Sequence, residues 1–213
     1  NMESQTSSVA LTGGEIYGTE LNNNRDVVSD ITNYGSITAA EAVLLCTANG
    51  NINNLNQITS QNSTVTIKAE QHSSYKGSEY VGNIRNGVGA SYDNKADITA
   101  KQGISLHATG NIQNIGDYLV TDTGDITVQA QGHIANIGDY TLAKDGNITV
   151  NAQGDVGNSG NYTVTKGGNI SVNAGHDVGN LGSYIIGQNG NITVHADNTV
   201  GNIGSYTVDN NGN

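Results

Sequence analysis

The chain has 213 residues and a formal net charge of −11, from 8 Lys and Arg against 19 Asp and Glu. It has 29 glycines, one cysteine, and no proline, phenylalanine or tryptophan. This balance opposes binding to nucleic acid and insertion into or attraction to anionic membranes, gives no disulfide framework, and offers no apolar run near the roughly 18 residues of a spanning helix.

In chain order, the start Asn1-Met2-Glu3-Ser4 has no basic-then-apolar signal region. Val9, Leu11, Ile16 and Leu21 are expected at the edges of an early coil. Ile31-Thr32-Asn33-Tyr34-Gly35 carries a bend pattern, V-x-N-x-G, that recurs later. Ile37 and Leu44 lead to Gly50-Asn51-Ile52-Asn53-Asn54-Leu55, which matches residues 110–115 at four of six positions, with a step of 21 residues from Asn33 to Asn54. Cys46 is aligned with Leu106 and is expected to be a small buried hydrophobe. The next coil opens at Val65-Thr66-Ile67-Lys68-Ala69, and its bend is read at Val81-Gly82-Asn83-Ile84. Where the regular unit uses three residues before that bend, this chain has eleven. Residues 1–103 are therefore read as irregular coils with polar insertions near 70–80 and 88–102, and 104–213 as regular coils. About eight coils are expected. The chain stops in mid-repeat at Asn213, and both ends are expected to continue in a longer protein.

From Ile104 the repeat is strict. Tyr118, Tyr140, Tyr162, Tyr184 and Tyr206 fall 22 residues apart, as do Asn114, Asn136, Asn158, Asn180 and Asn202. Ile148, Val150, Ala152, Val156, Asn158, Tyr162 and Val164 occupy even positions, while Thr and Asn dominate the odd ones. That is the period of strands with one buried face. A 22-residue unit of three short strands is too small to bury that face alone, so units must stack. The expected fold is all-β, a right-handed parallel β-helix with one repeat per coil and about 4.8 Å between coils. The Asn column is expected inside a bend, with amides bonded to one another and to the turn, and the glycine two residues later is expected to supply positive φ. The Tyr column is expected to stack near a corner, its hydroxyls reaching the surface.

Candidate chemistry is sought first where the repeat breaks. His72, Tyr75, Lys76, Tyr80, Arg85, Tyr92 and Asp93 sit in or beside the insertions and are the candidate ligand-binding residues. His133, Asp155 and Asp177 share one outward column, and Asp117 and Asp139 another. Carboxylates about one coil apart suit a shared hard cation, but calcium needs about six to eight oxygens, and these columns are read as a solvated acidic face with no metal assigned. His107 and His195 lie four coils apart, too far to share a metal. A polysaccharide-cleaving enzyme requires clustered carboxylates in a groove; the regular coils show none, and neither a catalytic residue nor a cofactor is assigned. Asn-x-Ser/Thr sequons recur at Asn147, Asn169 and Asn191, and also at Asn62 and Asn161, as a by-product of the repeat.

The unit Gly146–Tyr162, G-N-I-T-V-N-A-Q-G-D-V-G-N-S-G-N-Y, resembles the filamentous-haemagglutinin repeat of the large exoproteins of Gram-negative two-partner secretion. The specific part is A-x-G-x-[VI]-x-N-x-G, clear from Ala108 onward and present with gaps over 31–103. The resemblance implies a β-helical rod outside the cell or on the bacterial outer-membrane surface, secreted through an outer-membrane transporter partner. It implies adhesin, haemagglutinin or contact-dependent growth-inhibition roles, a receptor or glycan on a host or neighbouring cell, and glycosylation at Asn147, Asn169 and Asn191. The family's secretion domain carries an Asn-Pro motif, and this proline-free chain is not that domain. The expected function is a structural rod segment that mediates adhesion or presents a distal domain. A self-assembling fibre, with coils of identical chains stacked end to end, is the alternative, and a carbohydrate-active enzyme a lesser one.

If every coil buries its neighbour's face, removing one whole unit leaves the columns intact. A variant lacking residues 147–168 is expected to keep its β-type far-ultraviolet circular dichroism and to unfold cooperatively at a lower midpoint. Loss of folding would exclude a solenoid.

Overall fold

The computed structural model describes residues 2–4, 7–13, 30–47, 50–70, 82–89 and 96–209. All regular structure in these residues is β-strand, arranged in three parallel sheets of nine, eight and eight strands. The chain visits the sheets in fixed rotation, so each triplet of strands makes one coil of a parallel β-helix. The Tyr sheet runs from Met2–Ser4 to Tyr206–Val208, the Ile/Val sheet from Val9–Gly13 to Ile192–Ala196, and the Asn sheet from Ile31–Asn33 to Thr199–Asn202.

The register follows from the repeat. Ile126 pairs with Ile148, Val128 with Val150, Tyr140 with Tyr162, and Asn136 with Asn158. Burial alternates residue by residue, and Ile148–Ala152 reads buried, half-buried, buried, half-buried, buried. Each column therefore meets a copy of itself one coil away, and the core is one continuous aliphatic and tyrosine-lined cylinder. A fully buried Ile or Val contributes roughly 1.5–3 kcal/mol.

Three expectations are corrected here. Leu45, not Cys46, pairs with Ile67 in the Leu106 column; Cys46 points outward beside Lys68 and is half-buried. The thiol is raised by partial burial and then by Glu70, with Lys68 acting the other way. The bend after the first insertion lies at Ile84-Arg85-Asn86, whose Ile84 pairs with Ile112 and Asn86 with Asn114, rather than at Val81-Gly82-Asn83. The word that sets this register is G-N-I-x-N, shared with Gly50–Asn54 and Gly110–Asn114. The second insertion ends before Ala96, because Ile98–Ala100 is a strand of the Tyr sheet in register with Tyr118–Val120.

The glycines two residues after the ladder asparagines are needed for contact, not for φ. Positive φ occurs at Gly87, Gly89, Gly146 and Gly168 among the described residues, and not in this column. A Cβ at Gly138, Gly160 or Gly182 would lie 1.9–2.0 Å from the carbonyl oxygen of the glycine one coil earlier. No side chain fits in that gap on these coils, whereas the earlier coils, where Asn56 and Val88 hold the equivalent place, are not so constrained.

Substitutions separate these roles. Asn136→Ala removes a buried amide and leaves two neighbours short of partners, an expected loss of about 3 kcal/mol. Gly160→Ala is expected to cost at least about 3 kcal/mol through the backbone clash. Gly179→Ala, where an added Cβ meets nothing within 4 Å, is expected to be neutral or to stabilise by up to about 1 kcal/mol. Urea midpoints of the three variants check the order.

Candidate functional site

Of the predicted loop residues, His72, Tyr75, Lys76, Tyr80, Tyr92 and Asp93 lie outside the described residues. Arg85 is placed on the outer face of the Asn sheet between Asn53 and Gln113 of adjacent coils, and it is exposed. With Asn83, Asn111 and Gln113 it lines a shallow recess of about 50 Å³. The bases of both insertions are pinned to the solenoid. The Gly82 amide donates to Thr109 Oγ1 at 3.1 Å, and Asn86 Nδ2 donates to the Ala96 carbonyl at 2.7 Å.

The acidic columns hold the corners together. The position just before each strand presents an acceptor to the backbone N–H of the same position one coil on. On the Asn sheet this file runs from Asn111, which accepts from the His133 amide at 2.7 Å, through His133 Nδ1, which accepts from Asp155 at 2.9 Å, to Asp155, which accepts from Asp177 at 3.2 Å. His133 Nδ1 also lies 3.0 Å from the Asp155 carboxylate. On the Tyr sheet the Asp139 amide donates to Asp117 and the Asn161 amide to Asp139. On the Ile/Val sheet Asn147 donates to Asp125, Asn169 to Asn147, and Asn191 to Asn169 through backbone amides, with the side-chain amides following the same path. The three sequon asparagines thus form a surface ladder, half-buried at Asn147 and exposed at Asn169 and Asn191. Among the described residues no three His, Cys, Asp or Glu side chains are grouped to hold a metal. His107 and His195 sit in one outward column with Gln129, Asn151 and Asn173 between them.

Inside the core run two columns of polar side chains, the Asn ladder from Asn33 to Asn202 and, from Tyr118 onward, a tyrosine stack that replaces Ile37, Ile58 and Ile98 of the earlier coils. Asn114, Asn136, Asn158 and Asn180 are buried, and each Nδ2 donates both to Oδ1 of the next asparagine at 2.7–2.8 Å and to the carbonyl of the glycine two residues on. Asn202 ends this ladder. Tyr118 to Tyr206 stack with ring centroids 4.6–5.1 Å apart and planes within 8°. Contrary to expectation, the hydroxyls of Tyr118, Tyr140, Tyr162 and Tyr184 do not reach the surface; they are buried without a hydrogen-bond partner. The coil is only three short sheets around, so a ring pointing inward ends in the core. Burial drives the Tyr118, Tyr140 and Tyr162 phenols well above their ordinary value, with neighbouring tyrosines adding to the shift. The amides of Asn114 and Asn136 oppose part of it at Tyr140 and Tyr162 without a hydrogen bond of good geometry.

One outward column is apolar, which the sequence reading misses. Just after the eight ladder asparagines come Tyr34, Leu55, Gly87, Ile115, Ile137, Ser159, Leu181 and Ile203, six of them apolar side chains. Ile137 is 60% and Leu181 59% exposed although coils lie on both sides of each, so the exposure belongs to the flank of the rod. The signal is present in the spacing, but the third repeat carries Ser159 there, and a reading built on that unit takes the whole column as polar.

No protein-family description, curated protein or solved structure matches the chain.

The tyrosine column sets an alkaline limit. A phenol raised by burial stabilises the folded state in its neutral form at pH below the unfolded value of about 10, and that stabilisation is lost as pH rises above it. Tyrosinate absorbance at 295 nm from the buried rings is expected to appear only together with unfolding. Tyr162→Phe, which removes an unpartnered hydroxyl and keeps the ring, is expected to be neutral or stabilising by about 1 kcal/mol at pH 7. A large loss would reveal a bond the hydroxyl makes.

Proposed function

We propose that the chain is a rod segment of a secreted, cell-surface exoprotein of adhesin or haemagglutinin type, holding a distal binding or effector part away from the cell. The observation that carries this reading is the unbroken parallel register of three sheets along one axis. Each coil adds about 4.8 Å of length and buries only its neighbours, so reach is set by repeat number rather than by a new core. The likeness of Gly146–Tyr162 to the haemagglutinin-type repeat supports secretion through an outer-membrane transporter. The receptor or glycan on the opposing cell is met by the insertion loops around His72–Tyr80 and Tyr92–Asp93, at whose bases Arg85 lies.

A second reading, end-to-end assembly into fibres, draws support from the polarity of the Asn ladder. Every amide donates in one direction, from Asn33 towards Asn202. A second solenoid stacked head to tail continues the same bonds.

Antibodies against the chain are expected to label intact source cells, and external protease is expected to remove the label. Label seen only after lysis would overturn the surface reading. Filaments that form in solution as concentration rises would move the fibre reading first.

A further inference from the structure

The flank of the Asn sheet carries a groove that neither the coil packing nor the rod reading requires. Its floor is Gly157, Gly179 and Gly201, one above another on successive coils, and its volume is about 480 Å³. These glycines differ from those of the corner column. An added Cβ at Gly179 meets nothing within 4 Å, and at Gly157 and Gly201 its nearest atom is a carbonyl oxygen at 4.0 and 3.9 Å. None of the three has positive φ. Glycine inside a strand weakens it and marks a place where another chain approaches closely. On earlier coils the same position holds Thr32, Asn53, Arg85, Gln113 and Ala135, so the glycine floor is confined to the later coils.

The two walls differ in chemistry. Two residues after the glycines stand Ser159, Leu181 and Ile203, and Leu181, with a coil on either side, is 59% exposed. Two residues before them, on the same outward face and just beyond the groove's lining, stand Asp155, Asp177 and Thr199. Four residues of strand separate the walls by about 13 Å, and the whole molecule carries −11. An exposed apolar row rimmed by polar groups marks an interaction surface.

We propose that this groove binds an extended polypeptide segment in which apolar residues alternate with Lys or Arg. In an extended chain successive side chains point to opposite sides. A segment lying along the rod axis, its peptide planes against the glycine floor, sends every second side chain to the Leu181–Ile203 wall and the others to the Asp155–Asp177 wall. A second copy of this chain is disfavoured as occupant by its own charge of −11.

The test uses the full chain and three labelled hexapeptides, alternating Lys-Leu, Glu-Leu and Lys-Ser, read by fluorescence anisotropy. Binding of Lys-Leu alone is expected, weakening as salt rises. Gly179→Val is expected to weaken it at least about tenfold while thermal stability holds or rises, because the valine fills the groove and not the core. Leu181→Ser and the pair Asp155→Asn with Asp177→Asn are each expected to weaken it. Thr163→Val, on the Tyr sheet, is expected to leave it unchanged. Equal binding of Glu-Leu or Lys-Ser, no binding of Lys-Leu, or Gly179→Val without effect would each overturn the proposal. So would light scattering that shows pairs of the chain dissociated by Gly179→Val. Surface labelling of cells is unaffected by these variants, so failure here leaves the rod reading standing.

Discussion

Everything in this molecule depends on like meeting like at the rise of one coil. Parallel strands bring each residue against its equivalent 22 positions away. At that distance most residue types gain little from a copy of themselves, and like charges repel. Asparagine is an exception because its amide is donor and acceptor at once. A buried column of them therefore satisfies itself without limit, at 2.7–2.8 Å per bond along its length. Tyrosine is another, since offset rings stack face upon face at close to the coil spacing. Isoleucine and valine complete the set because non-directional burial does not care what it faces.

The tyrosine column shows the limits of that rule. Its rings fit the coil, but four hydroxyls are buried without partners. An unpaired buried hydroxyl costs about 1–3 kcal/mol, and ring burial with stacking offsets it. The acidic columns show the reverse. Asp117, Asp139, Asp155 and Asp177 lie near like charges, yet each folds back as an acceptor or donor in a file of backbone amides. What reads from sequence as a solvated acidic face is also the stitching of each corner, and the charge is a by-product of that hydrogen-bonding role.

The repeat made the fold legible because a period of 22 fixes both burial and register. Wherever the period held, sheet membership followed, as at Ile148–Ala152. Where it broke, reading by residue type misled: Val81-Gly82-Asn83 imitates the bend, and only the longer word ending at Asn86 carries the register. Cys46 read as core through an alignment with Leu106 that is one residue out of register, and alternation places Leu45 inward instead. The role of the corner glycines was not legible at all. A requirement for positive φ and a carbonyl 2 Å away select the same residue, and only coordinates distinguish them. The apolar flank was legible in principle and hidden by Ser159.

These columns also indicate where variation is free. Inward positions are locked to their neighbours above and below, so a change in one coil disturbs three. Outward positions answer only to the corner files, and the Asn sheet shows how far they drift. One outward file passes through Thr32, Asn53, Arg85, Gln113, Ala135 and then three glycines. Nothing in the packing demands that series. A solenoid with an invariant interior and a changing exterior presents a different surface on every coil at no structural penalty. Function on such a rod is therefore most readable where an outward file changes abruptly against a constant inward one. The step from Gln113 and Ala135 to Gly157 beside the Leu181 ridge is such a place, and the insertions that flank Arg85 are the other.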